Sequence, residues 1–168
     1  MKYRKIYGGF LLGLSLMVWG CASQPVSTVE SGPPPPSDRK VLVATQNSKF
    51  KKVLVSEIYQ ALNQYSIYLK IIDVSDLKNQ SSAEFSAVVI INKCMAGRPD
   101  PRVESFIDRE PRKNKIIVLT TGISDSWKPD EPGVDAITSA SVLDKSDQVA
   151  KSIIKRVLAR VNSKDSEP

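Results

Sequence analysis

The sequence predicts a doubly wound α/β domain, with a five-stranded parallel sheet in the order 2-1-3-4-5 and helices on both faces. Runs of Val, Ile and Leu at 41–44, 87–91 and 116–119 are typical of strands buried on both faces. Segments with apolar residues at helical spacing alternate with the strands, and the connections are short. Right-handed crossovers then cover both faces of the sheet, which gives this strand order.

The first half of the domain begins with a strand at 40–45, and Asn47 or Ser48 can cap the helix that follows. Phe50 is expected to turn into the core from that helix. The next strand, at 66–74, alternates apolar and polar residues, so it is expected to be half exposed near an edge. Residues 75–85 leave room for one or two poor helical turns.

The second half contains the central strand, at 87–91, and a helix capped by Asp100 with Pro101 at its first position. The charged stretch 109–115 is expected to be a surface turn. A buried strand at 116–120, an irregular stretch at 121–133 and a brief last strand at 134–138 follow. The final helix, 147–161, has an apolar stripe for the core, and its lysines and arginines are expected to be solvated.

The N-terminus is typical of an export signal, with basic residues followed by an apolar run too short to span a bilayer. Residues 18–21, Val-Trp-Gly-Cys, resemble the lipobox of bacterial lipoproteins. That resemblance implies cleavage after residue 20 and acylation of Cys21, including palmitate. Ala22 then implies the outer membrane rather than the inner one, on its periplasmic side. The alternative is an ordinary short anchor with an incidental cysteine.

Four regions follow from these features: a signal peptide at 1–20, a lipidated Cys21 with a linker to 39, the domain at 40–162 and a polar tail at 163–168. The linker includes four consecutive prolines and few apolar groups, so it is expected to be an extended stalk.

The composition excludes several classes of function. The net charge is +6, but residues 1–20 hold three of the 24 basic residues and none of the 18 acidic ones, so nucleic acid is a poor partner. The chain has no histidine, which excludes Ser-His-Asp and Cys-His sites and imidazole-ligated metals. With Cys21 acylated, Cys94 is the one remaining thiol. It is either a small packing residue or, less simply, a redox group.

Three stretches resemble the flavodoxin-like family: VLVATQNSKFKKV at 41–53, VVIINKCMAGRPDPRVESFI at 88–107 and IIVLTTG at 116–122. The resemblance covers about the whole domain. It implies an FMN site at three loops, formed by the residues Thr45, Asn47, Ser48 and Lys49, then Met95, Ala96 and Gly97, then Thr121, Gly122 and Trp127.

The chain departs from the family at two of these loops. The first loop has no glycine to let the backbone approach a phosphate, and Phe50 stands where a small polar residue is usual. Met95 stands where an aromatic commonly stacks on the flavin, and a thioether stacks less well. Trp127 could take over that contact, or it could cover the edge of the sheet.

The sequence gives less support to other kinds of site at the same edge of the sheet. A receiver domain needs an aspartate after the third strand, where this chain has Asn92 and Lys93. An acidic rim of residues 73, 125, 130 and 131 is more simply a set of solvated carboxylates, so no metal site is predicted. Thr138, Ser139 and Ser141 either contact a polar ligand or satisfy free backbone groups.

The sequence therefore predicts a lipid-anchored, non-enzymatic binding or interaction module with a divergent flavodoxin-like domain. Its expected partners are the membrane, through the lipid, and an envelope protein or a small anion, with no cofactor. The alternative is an FMN-binding electron carrier or quinone reductase at the membrane, because flavin chemistry needs few catalytic side chains.

Overall fold

The computed structural model of the chain describes residues 24–33, 39–94, 100–122 and 133–163. These ranges form a six-stranded sheet in the order β1-β3-β2-β4-β5-β6. The strands are β1 Val29–Glu30, β2 Lys40–Thr45, β3 Tyr68–Asp73, β4 Ala87–Lys93, β5 Ile116–Gly122 and β6 Asp135–Ala140. All neighbours pair in parallel except β1 and β3, which are antiparallel. The five parallel strands have the predicted order, so the predicted fold class is confirmed.

Three α-helices connect and cover the sheet: α1 Lys49–Asn63, α2 Pro101–Arg109 and α3 Ser146–Ser163. Ser48 caps α1, since its Oγ accepts a hydrogen bond from the Lys51 amide at 3.2 Å. Asp100 caps α2 ahead of Pro101, as the sequence predicts. Short 3-10 helices lie at Val74–Asn79, Ser82–Glu84, Lys113–Lys115 and Leu143–Lys145, the first two where poor helical turns are predicted.

The two faces of the sheet belong to two separate hydrophobic clusters. Val41 and Val43 of β2 face the cluster that includes α1 and α3, whereas Leu42 and Ala44 face the one that includes α2. Because successive side chains of a strand point to opposite faces, this division requires an apolar residue at each of positions 41–44 of β2. Full burial of each large side chain contributes about 1.5–3 kcal/mol.

The described core is contained within residues 26–161. A chain that begins at Ala22 therefore keeps every one of these contacts, and a domain with its own core can fold independently. We expect such a chain to fold without residues 1–21.

The sheet has a strand that the sequence did not predict. Val29–Glu30 pairs with β3, and the Ser31 amide donates to the Leu69 carbonyl at 3.0 Å. Ahead of it, Val26 packs against the core. We call residues 24–31 the strap. It lies within the stretch predicted to be an extended stalk, and that expectation is wrong for these residues.

The strap also explains a wrong prediction about β3. The strand is not half exposed, because Tyr68 is 8% exposed and Ile71 6%. Alternation in the sequence indicates one polar face, but Lys70 is also shielded in part, at the edge where β1 pairs.

The stretch 109–115 is not wholly a surface turn, because Glu110 and Lys115 are buried. The Glu110 carboxylate accepts bonds from the amide and hydroxyl of Ser82, at 2.8 and 2.6 Å. The Lys115 ammonium donates to the Phe85 carbonyl at 2.7 Å. Burial alone raises the pKa of Glu110, but the bonds from Ser82 outweigh it and hold that pKa below its ordinary value.

Two arginines of α3 are not simply solvated. Arg156 Nε and Arg160 Nη2 contact the two oxygens of Asp135, at 3.0 and 3.2 Å, and so connect the helix to β6. Phe50 is buried among the core residues under α1 and α3, as predicted.

Candidate functional site

A polar cleft of about 660 Å³ opens at the carboxyl edge of the sheet. It lies where β2, β3, β4 and β5 end and where α1 and α2 begin. Open parallel sheets bind their ligands at this edge. The cleft is lined by Pro25, Gln46, Asn47, Ser48, Lys49, Phe50, Lys51, Asp73, Ser75, Lys93, Asp100, Arg102, Thr121 and Ser141.

The side chain of Gln46 makes three hydrogen bonds that connect residues lining the cleft. Its Nε2 donates to Asp100 Oδ2 at 2.6 Å, and its Oε1 accepts from Lys51 Nζ at 2.9 Å and from the Lys93 amide at 3.0 Å. One side chain thus connects the ends of β2 and β4 with the first turns of α1 and α2.

Asp100 is buried and paired with Arg102. Arg102 Nε donates to Oδ1 at 2.8 Å and Nη2 donates to Oδ2 at 2.6 Å, a two-point contact that adds to the cap on the Arg102 amide. These bonds from Arg102 are the largest influence on Asp100, and they hold its pKa below the ordinary value. Behind it, buried Asn92 accepts from the Asp100 amide at 3.3 Å.

Lys51 is an unusual residue for its position, because its side chain is only 3% exposed. The pKa of its ammonium is lowered to about 8, mainly by burial and in smaller part by the nearby charge of Lys93. Within the described ranges, its ammonium donates to the neutral side-chain amide of Gln46. The cleft therefore contains a desolvated cation without a carboxylate within ion-pair distance among the described residues.

The charge of the cleft is positive. Lys49, Lys51, Lys93 and Arg102 face Asp73 and Asp100. Both carboxylates are already engaged, since Asp73 accepts from the amide and hydroxyl of Ser75 and from the Val26 amide, at 2.9, 2.8 and 3.0 Å. Burial raises the pKa of Asp73, but these bonds outweigh it, so the pKa is lowered and the group is charged at neutral pH.

The predicted residues of the first loop lie at this cleft or beside it, and three of their side chains bond within the protein. Ser48 Oγ caps α1, Asn47 Nδ2 donates to the Gln24 carbonyl at 3.1 Å, and Thr45 Oγ1 donates to the Gln46 carbonyl at 3.3 Å. Lys49 lines the cleft beside Asn47 and Ser48, whereas Thr45 is buried and faces a neighbouring cavity. The side-chain hydroxyl and amide groups of Thr45, Asn47 and Ser48 are therefore hydrogen-bonded within the protein.

The third loop is described in part. Thr121 lines the cleft, and its Oγ1 donates to the Asn92 carbonyl at 3.0 Å. Gly122 ends β5 and accepts from the Ser141 amide at 3.3 Å. Of the three hydroxyls near the last strand, Ser141 lines the cleft, and Ser139 Oγ donates to the Ala140 carbonyl at 3.0 Å. Thr138 lines a smaller cavity beside α3.

Several predicted residues lie outside the described part of the chain: Cys21, Met95, Ala96, Gly97, Trp127 and the acidic residues 125, 130 and 131. Cys94 is half-buried, and its amide donates to the Thr121 carbonyl at 2.8 Å. Within the described ranges, no three potential metal ligands come together.

Sequence reasoning missed Gln46, Lys51, Lys93 and Arg102 as members of the site. One signal for Lys51 is present in the sequence. Lys49, Lys51 and Lys52 occupy the first turn of α1, which has no acidic residue, although the positive end of the helix dipole disfavours cations there. Positive charge that is unfavourable for the helix, placed at the carboxyl edge of a parallel sheet, indicates a site that binds a negatively charged group.

None of the helices in the described ranges is both long and apolar enough to cross a bilayer.

Comparisons with known proteins find similar folds but no similar sequences. No protein-family profile matches the chain, and no curated protein matches it significantly. Among solved structures, an oxidoreductase from Corynebacterium diphtheriae has a TM-score of 0.52 at 13% identity, covering 79% of this chain and 100% of that one. Flavodoxin 2 from Bacillus cereus has a TM-score of 0.50 at 10% identity, covering 72% and 99%.

The flavodiiron protein from Giardia intestinalis has a TM-score of 0.50 at 12% identity. The match covers 74% of this chain and 37% of that protein, so the chain spans about a third of its length. At these identities the likeness concerns the backbone arrangement alone. The chain has a flavodoxin-like fold.

Proposed function

We propose that this chain is a lipid-anchored, non-enzymatic binding module whose cleft binds a small anion with a phosphate or carboxylate group. The observation that supports the proposal is the cleft's positive charge, in which Lys49, Lys51 and Lys93 face two carboxylates that are already hydrogen-bonded. An entering anion meets cations without first displacing a protein carboxylate from them.

The side chains of the cleft suit recognition of oxyanions. Ammonium and guanidinium groups make short, charge-assisted hydrogen bonds to phosphate and carboxylate oxygens. The first residues of α1 line the same cleft, and the helix dipole adds partial positive charge there. Desolvated Lys51 benefits most, because a bound anion supplies the charge partner that burial denies it.

The anchor in this proposal is the acylated Cys21, which places the domain on the periplasmic side, at the outer membrane rather than the inner one. Its support is the basic start, the short apolar run and Gly20 before Cys21. A module held there could also present its occupied cleft to an envelope protein.

The test is calorimetric titration of the chain from Ala22 with inorganic phosphate, sulfate and succinate. We expect a millimolar or tighter affinity for at least one of them. Lys49→Met and Lys93→Met should each weaken it about tenfold, which corresponds to the loss of one charged hydrogen bond. Both lysines are exposed, so these variants should fold normally.

Lys155→Met, on the exposed face of α3, removes the same charge away from the cleft and is the matched control. Binding should weaken as the pH rises through about 8, because Lys51 then loses its proton. Absence of heat with all three anions, or equal losses in Lys155→Met and Lys93→Met, contradicts the proposal.

The second candidate is an FMN-binding electron carrier or quinone reductase, which the flavodoxin-like fold favours. Against it stands the first loop, whose Asn47 and Thr45 side chains bond within the protein. The chain from Ala22, purified after addition of FMN, decides between the two. A yellow protein with quenched flavin fluorescence supports the electron carrier. A colourless protein that binds phosphate but shows no thermal shift with FMN supports the anion-binding module.

A further inference from the structure

A second cavity, of about 500 Å³, lies directly beside the polar cleft. It is a groove between the strap and α1, and β3 lies beneath it. Its apolar lining is provided by Pro25, Val26 and Val29 of the strap, Val55 and Tyr59 of α1, and Ile71 of β3. We call this cavity the apolar groove.

The apolar groove and the polar cleft share one wall. Pro25, Gln46, Asn47 and Lys51 line both cavities. The residue at the junction is therefore the desolvated Lys51, and Lys52 adds a second ammonium along the groove. Together the two cavities have a cationic end and an apolar end.

The strap fixes the shape of the apolar groove. The Asn47 side chain is bonded to the Gln24 carbonyl and the Val26 amide to Asp73, which hold the start of the strap over the ends of β2 and β3. A channel closed on one side by a bonded segment suits a narrow chain better than a broad surface. Val29 is 47% exposed at its rim, which leaves apolar surface for a ligand to cover.

We propose that the two cavities together bind a single-chain amphiphilic anion, with its phosphate or carboxylate in the polar cleft near Lys51 and its alkyl chain in the apolar groove. The proposal rests on the anion-binding function proposed above and specifies the ligand class. Charge complementarity selects the head group, and the apolar lining selects the chain. The ligand is a monomeric amphiphile, taken out of water or out of a membrane.

The test compares inorganic phosphate, butyl phosphate and octyl phosphate by calorimetry on the chain from Ala22, below the concentration at which micelles form. A buried methylene contributes about 0.8 kcal/mol, or roughly a fourfold gain in affinity. Octyl phosphate should therefore bind at least about tenfold more tightly than butyl phosphate. 1-Octanol, which lacks the anion, should bind much more weakly than octyl phosphate.

Val55→Ser removes apolar surface from the apolar groove and should reduce the gain for octyl phosphate while leaving inorganic phosphate unchanged. Val53→Ser is the matched control, because Val53 lies on the same helix, is 36% exposed and does not line the groove. Thermal melts of the two variants confirm that both are folded.

Each result bears on a different proposal. If inorganic phosphate binds and octyl phosphate binds no more tightly, the amphiphile proposal is overturned and the anion proposal stands. If 1-octanol binds as tightly as octyl phosphate, the head group is not in the cleft and the amphiphile proposal fails. If octyl phosphate gains as much affinity over inorganic phosphate in Val55→Ser as in Val53→Ser, the amphiphile proposal is also overturned. If neither inorganic phosphate nor any alkyl phosphate binds, both proposals fail.

Discussion

Lys51 shows how strongly a single side chain depends on its surroundings. The sequence places it in the first turn of a helix, where lysine is ordinarily exposed. In the structure, the Lys51 side chain is buried where the two cavities meet, and among the described residues its ammonium bonds to Gln46. The folded domain therefore carries a desolvation cost at Lys51, which a bound anion would offset.

This cost predicts a pH dependence of stability. The pKa of Lys51 falls from 10.5 to about 8 on folding, so the unfolded chain binds more protons between these values. Stability therefore rises with pH across that window, by about 2 kcal/mol between pH 7 and 9.5 from this group. Tyr68, with its pKa raised by burial to about 12, opposes this only above pH 10.

The measurement is urea unfolding at pH 7 and 9.5 for the natural chain from Ala22 and for Lys51→Met. We expect Lys51→Met to be the more stable at pH 7 and to lack the gain at pH 9.5. A loss of stability in Lys51→Met at pH 7, with the same pH dependence as the natural chain, contradicts this account of Lys51.

Asp100 has the opposite dependence on pH. Its pKa is lowered on folding by the bonds from Arg102, so its stabilisation is complete above the ordinary aspartate value and is lost as the pH falls below it. Asp100→Asn keeps a capping oxygen but loses the charge on the Arg102 contact. We expect it to cost about 1–3 kcal/mol at neutral pH and less near pH 3, below the ordinary aspartate pKa.

Urea unfolding at the two pH values measures this difference. Asp108→Asn, an exposed change on the same helix, is the control. A cost of Asp100→Asn that is the same at both pH values would show that the loss comes from packing and not from the charge.

At the scale of elements, the strap is the least predictable part of the fold. The segment contains Val26 and Val29 as its apolar residues, too few to indicate a strand by periodicity. It is held by contacts with residues about 40 positions away, such as the bonds from Val26 to Asp73 and from Leu69 to Ser31. Pairing covers the edge of β3, which would otherwise present unpaired backbone groups.

Ser31→Ala tests how the strap is held. Ser31 Oγ accepts from the Leu69 amide at 2.9 Å, and its loss leaves that amide without this partner. We expect a destabilisation of about 1 kcal/mol and faster hydrogen exchange at Leu69 and Ile71.

Ser27→Ala, in the exposed part of the strap, is the control and should change neither quantity. Unchanged exchange at Leu69 in Ser31→Ala would mean that the strap does not protect the edge of β3.

At the scale of the whole molecule, the fold gathers positive charge at one edge of the sheet, although residues 21–168 carry little net charge. The charges come from the first turn of α1, the end of β4 and the first turn of α2, which are distant in sequence. Parallel pairing brings the carboxyl ends of the strands, and the helix starts that follow them, to one edge of the sheet, and this topology creates the cleft.

The proposed lipid anchor at Cys21 predicts where the molecule is found. We expect the natural full-length chain, expressed in a bacterium with two membranes, to fractionate with the outer membrane and to carry an acylated N-terminal cysteine by mass spectrometry. Cys21→Ser should abolish the acylation and the processing that depends on it.

Cys94→Ser is the matched control, because it removes the other thiol of the chain. Recovery of Cys21→Ser in the membrane fraction as a processed protein would contradict the lipid anchor.

The sequence by itself determined the architecture and the local signals within it. Unbroken Val and Ile runs predicted the doubly covered strands, and Ser48 and Asp100 predicted the helix starts, because burial on two faces and capping depend on residues that are close in the chain. The burial of Phe50 followed from its place on the apolar side of α1.

Tertiary structure alone decided the chemistry of the edge. Gln46 joins Asp100, 54 residues away, to Lys51 and to the Lys93 amide, and no spacing in the sequence indicates that meeting. The strap covers β3 through bonds across about 40 residues. Hydrogen bonds and desolvation depend on distances in space, so the charge balance of the cleft and the lowered pKa of Lys51 became visible only when the strands were placed side by side.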